Sequence, residues 1–130
     1  MPIALWCVLA AAILPALSGF PAKTRGGFDN ARPRDLDFWR DGFAARARGA
    51  MENGYEAFPL FAVAVLVGLW QGGSPGMVDG LAAGYIAARI GFVLAYWRDR
   101  PTLRSILWTI AFACAVAIFL TPIWAPAAAS

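Results

Sequence analysis

The chain reads as an all-α integral membrane protein, a four-helix bundle forming one domain over residues 1–130. Three observations predict this. Hydrophobic residues make up 60% of the chain and charged ones 15%, too few charges to cover a soluble domain of this length. The mean hydropathy is +0.59. The apolar residues also come in four blocks, each about long enough to cross a bilayer as a helix, separated by runs rich in charge, glycine and proline.

The first block, residues 2–20, carries no charge. A cleaved signal peptide would want a basic leading region and a shorter apolar core. The block has neither, so it is read as a retained first span, bent near Pro15. Residues 20–37 form a turn-rich basic loop with Lys23, Arg25, Arg32 and Arg34. A second helix over about 37–70 is expected to start with Asp35 or Asp37 capping its free amides. Trp39 and Phe43 would then lie on an interfacial first section. An uncharged turn, Gln71 to Gly76, leads to a third span at about 77–97, and a charged turn leads to a fourth at about 103–123. The tail after Pro126 reads as frayed.

The two connections on one side, with the section leading into the second span, hold ten of the eleven lysines and arginines. The positive-inside rule then puts those basic loops in the cytoplasm and both termini outside. The chain has no histidine, and Cys7 and Cys114 are isolated within apolar blocks. His-based catalysis and a metal site are therefore not expected. No nucleic-acid module is visible either.

The polar residues inside the spans are the candidate functional residues. Arg46, Gly49, Asn53 and Glu56 fall on one helical stripe, and Pro59 follows one turn later. Tyr85, Arg89, Phe92 and Tyr96 form a second stripe on span three, and Arg104 and Ser105 open span four. Glu56 and Arg89 lie at matched depth, each about 10 Å inside the basic face, so an ion pair between them is expected. Two readings follow: a structural pair locking two helices, or part of a polar pocket whose guanidiniums suit a small carboxylate-bearing ligand. For Arg98, Arg100 and Arg104, lipid-headgroup anchoring is the alternative.

At this point the chain resembles the MAPEG family, membrane-associated proteins in eicosanoid and glutathione metabolism, in a short bacterial form. The resemblance rests on A-M-E-N-G-Y-E-A-F-P-L-F over 50–61, R-I-G-F-V-L-A-Y over 89–96 and the Arg104-Ser105 pair. It implies a homotrimer of four-helix subunits in the bacterial inner membrane, with periplasmic termini and glutathione as co-substrate bound between neighbouring subunits, near the cytoplasmic face. By motif position Asn53, Glu56, Arg89, Tyr96 and Ser105 would contact glutathione, and Arg104 would be the catalytic residue that stabilises its thiolate. Where the family usually carries an arginine, this chain has Gly49, and Arg46 and Arg48 are the candidates to replace it. Met51 and Phe92 also depart from the family's polar residues.

The function expected is a glutathione-dependent transferase or peroxidase acting on a lipophilic electrophile that arrives from the membrane. The alternative is a non-catalytic member of the same family that binds lipid or serves as a scaffold. A small proton-coupled exporter would want a carboxylate in the first span, which has none.

Overall fold

The computed structural model describes residues 1–129. Four long helices, α1 (Ile3–Lys23), α2 (Gly42–Trp70), α3 (Pro75–Trp97) and α4 (Pro101–Phe119), are followed by a short α5 (Thr121–Trp124). Each of the first four is long and apolar enough to cross a membrane. Among the described residues there is no strand, only an isolated bridge between Gly73 and Pro126.

Small residues let the helices approach. The Pro15 ring of α1 lies against Gly54 of α2, where an added Cβ would come within 2.7 Å of the proline Cγ. Gly91 of α3 likewise faces Leu107 of α4, and a Cβ there would stand 3.0 Å from the leucine Cδ1. In a lipid environment, packing of this kind supplies much of the attraction between helices. The interior between them is built from Phe61, Val65, Val78, Tyr85 and Ile118 with a set of alanines. Phe61 and Tyr85 stack with ring centroids 3.8 Å apart. Outward, α1 presents Trp6, Leu9, Ile13, Leu17 and Phe20, as a lipid-facing helix should.

The α1–α2 connection departs from expectation. The second helix begins at Gly42, not near Asp35 or Asp37. Those carboxylates fold the loop rather than cap a helix: Asp29 accepts from the Ala31 amide at 2.9 Å and Asp35 from the Asp37 amide at 3.0 Å. Short polar side chains that bond their own backbone compete with helix in this way. Trp39 is 5% exposed, packs with Phe28 and Phe38, and donates its Nε1–H to the Pro33 carbonyl at 2.9 Å. Gly42, at φ 62, then turns the chain into α2.

The last span also breaks earlier than expected. Pro122 has no amide hydrogen for the Ile118 carbonyl, and α4 stops at Phe119. The buried Thr121 hydroxyl donates to that carbonyl instead, at 2.7 Å. Nor is the tail free along its whole length. The Ser74 amide donates to the Ala125 carbonyl and the Ala127 amide to the Gly72 carbonyl, each at 2.7 Å.

These contacts put the α2–α3 turn and the C-terminal segment at one end of the bundle. The N-terminus of α1 joins them, because the Ala4 amide donates to the Asp79 carboxylate at 2.8 Å. At the other end the Trp97 indole donates to the Ser18 carbonyl at 2.9 Å. That end holds the two basic connections.

Candidate functional site

A groove runs between α2 and α4, with α3 as its floor. Residues three or four apart on a helix share a face, and each wall is such a stripe. Gly49, Glu52, Asn53 and Glu56 come from α2, and Arg104, Ser105, Trp108 and Thr109 from α4. Phe92 and Tyr96 form the floor of this polar section, which encloses about 420 Å³. Toward the uncharged end it continues into an apolar section of about 230 Å³ between Leu60, Tyr85, Ala111, Phe112 and Ala115. Asn53, Glu56 and Trp108 belong to both sections.

Arg89 lines the apolar section, next to Asn53 which both sections share, and is 4% exposed. Its Nη1 donates to the Asn53 Oδ1 at 2.9 Å, and its guanidinium sits 4.2 Å from the Phe92 ring centroid. The expected Glu56–Arg89 ion pair does not form. Among the described residues the ion pairs are Arg40–Asp37 and Arg48–Glu52, both nearer the basic end. Asn53, one turn before Glu56, takes the position facing Arg89. Glu56 is left exposed on the groove wall, with no ion-pair partner.

For the guanidinium the magnitudes come close to offsetting one another, and no buried side-chain nitrogen or oxygen among the described residues lacks a partner. Taking a charge out of water costs several kcal/mol even after relaxation. A hydrogen bond to a charged group returns about 1.5–3 kcal/mol and a ring face about 0.5–2 kcal/mol. Arg89 nevertheless has one hydrogen-bond partner, Asn53, so its charge is open to an anion that reaches it from the groove.

Arg104 lies over the Tyr96 ring, 4.6 Å from its centroid. The Tyr96 hydroxyl packs directly on Gly49, so that any side chain at 49 would displace the ring. The space beside position 49 is thus taken up by a phenol. Neither Arg46 nor Arg48 fills it. Arg46 donates its Nε–H to the Trp97 carbonyl at 3.1 Å, at the C-terminal end of α3, and Arg48 pairs with Glu52 at 2.7 Å. Met51 is turned toward α1, with its sulfur against Gly19.

The groove thus gathers Asn53, Glu56, Arg89, Tyr96, Arg104 and Ser105, and it leaves Arg46 outside. It also contains residues that were not singled out from sequence. Trp108 and Phe112 stack at 5.1 Å and form the wall where the polar and apolar sections meet. Continuing the Arg104 stripe by one and two turns reaches both, so the signal was present in the spacing. Glu52 was hidden because its charge pair with Arg48 lies along the same helix.

No curated protein and no solved structure matches the chain significantly. The family model of the MAPEG family matches residues 3–124, nearly the whole chain. With its four apolar spans and a polar groove built on the matched motifs, the chain belongs to the MAPEG family.

Proposed function

We propose that the polar section of the groove binds glutathione and that the protein joins its thiol to a lipophilic electrophile, or uses it to reduce a lipophilic peroxide. Membership of the family supports a glutathione-related activity in general terms. The observation that carries the specific reading is the charge set. Arg89 is buried without a carboxylate, Arg104 stands over Tyr96, and Glu56 is unpaired. Glutathione offers an ammonium for Glu56, carboxylates for Arg89 with Asn53, and a thiol for Arg104. A guanidinium beside a thiol favours the thiolate, which is the attacking form. The thiol gives its proton to water, the thiolate sulfur forms the new bond to the electrophilic carbon, and the leaving group departs with the displaced electron pair. With a peroxide, the sulfur attacks one peroxide oxygen and the O–O bond breaks to release the alcohol. A second glutathione thiol then displaces water to give glutathione disulfide. The apolar section, walled by Leu60, Trp108 and Phe112, suits the lipophilic partner.

In this reading the basic end faces the cytoplasm of a bacterial cell, and the subunits form a homotrimer in its inner membrane. A second reading, a non-catalytic lipid-binding or scaffold protein, draws on Gly49, because the phenol over it removes one guanidinium from the site. A thermal-shift titration with glutathione, run beside Glu56→Ala, separates them. Saturable stabilisation of the wild type, lost or strongly weakened in the variant, is the expected result. No stabilisation of the wild type at millimolar glutathione would overturn the proposal.

A further inference from the structure

Arg46 stands outside the groove, yet its hydrogen bond reaches the end of the helix that forms the groove's floor. We propose that Arg46 is a positioning residue for the thiolate centre: by bonding the carbonyl of the last residue of α3 it holds Tyr96 where that ring carries Arg104. This role rests on the glutathione reading and extends it to a residue that lines neither section of the groove.

The carbonyls in the last turn of a helix have no partner within it. Here the chain turns at Asp99, with φ 55, and the amides of Arg98, Asp99 and Arg100 donate to the carbonyls of Leu94, Tyr96 and Ala95. That closing set leaves out Trp97, the last residue of α3. Arg46 supplies the donor from α2, its Nε–H meeting the Trp97 carbonyl at 3.1 Å. A cation at a helix C-terminus is favoured by the helix dipole as well. Trp97 is also tied to α1, because its indole donates to the Ser18 carbonyl at 2.9 Å. Phe43, with the Arg25 guanidinium 3.6 Å from its centroid, packs beside the indole ring.

Three residues after Arg46 on α2, Gly49 lies against the Tyr96 hydroxyl. Arg46 with Trp97 and Gly49 with Tyr96 are thus neighbouring rungs between the same two helices, and the buried Ala47 and Ala50 let those helices close. Packing holds the Tyr96 ring, edge-on to Phe92 at 5.6 Å and against Gly49. Packing alone lets a ring slide along a helix, whereas the bond at the next residue fixes its level. Arg104 lies on that ring, 4.6 Å from the centroid, so a shift of α3 carries the guanidinium with it. The pull of a cation on a thiol proton depends on that placement.

The test follows the thiol of bound glutathione by its thiolate ultraviolet absorbance across pH, in the detergent-solubilised protein, with S-methylglutathione as the blank. Arg46→Met keeps the stem and removes the donor. The thiol should then titrate about one pH unit higher, up to about a tenfold loss of thiolate near neutrality. In mild acid, where glutathione binds as the thiol, its affinity by thermal shift should stay within about twofold. Arg46→Gln puts an amide N–H where Nε stood and should restore the wild-type titration without the charge. Arg98→Gln, a neighbouring cation at the same end of α3, should titrate as the wild type does. An unshifted titration in Arg46→Met would overturn the role, whatever its thermal midpoint. So would restoration by Arg46→Lys but not by Arg46→Gln, or an equal shift in Arg98→Gln, since charge and not the bond would then be acting. A wild type that binds glutathione without forming thiolate, or does not bind it, would overturn the glutathione reading itself and this role with it.

Discussion

Asp79 and Arg89 stand on the same helix, ten residues apart, and the protein treats them in opposite ways. Asp79 sits near the start of α3 and accepts the Ala4 amide at 2.8 Å, so its charge caps the otherwise uncapped start of α1. Arg89 sits deeper, and its described partners are an amide oxygen and a ring face. The first is a closed structural contact. The second leaves binding capacity unused on the side that faces the groove. A half-buried charge bonded across two helices holds the fold, whereas a buried charge with one hydrogen bond and a groove beside it has capacity left for a ligand.

That contrast can be broken from either side. The largest effect expected is on chemistry. Arg104→Ala should lower glutathione-dependent turnover by about a hundredfold or more, the scale for losing a charge-stabilising donor, while the thermal midpoint changes little. Full turnover in that variant, in a steady-state assay, would remove Arg104 from the catalytic role. Next comes Asn53→Ala, which leaves Arg89 with no hydrogen-bond partner among the described residues. It should cost about 1–3 kcal/mol of stability, visible as a lower thermal midpoint, together with weaker glutathione binding. The smallest effect belongs to Asp79→Ala. It should cost about 0.5–2 kcal/mol, as loss of a helix cap does, with glutathione affinity unchanged. A marked loss of glutathione affinity in Asp79→Ala would erase the distinction between the two residues.

Much of this was legible in the sequence for a physical reason. Span positions follow from blocks of apolar residues, because a bilayer selects on length and composition alone. The stripes Asn53–Glu56, Arg89–Tyr96 and Arg104–Ser105 follow from helical spacing, and the groove collects all six of these residues. The failures share a cause as well. Depth along the membrane put Glu56 level with Arg89, but depth says nothing about which way α2 is turned about its axis, and that rotation presents Asn53 instead. The loop before α2 looked helical by its capping residues. Whether Asp35 caps a helix or bends a turn was settled by the burial of Trp39 against Phe28, a contact across the loop that local patterns do not reveal. The same holds for the tail, whose bonds to Gly72 and Ser74 join positions about fifty residues apart.

The Ala4–Asp79 bond has a further consequence, in the order of assembly. Its partners are 75 positions apart, so as the chain leaves the ribosome α1 enters the membrane long before the carboxylate that caps it has been made. Until α3 arrives, the opening amides of α1 depend on water and lipid headgroups at the membrane surface where the helix begins. The first helix to be inserted is thus among the last to be locally complete, and a hairpin of α1 and α2 alone would be an intermediate with one loose end.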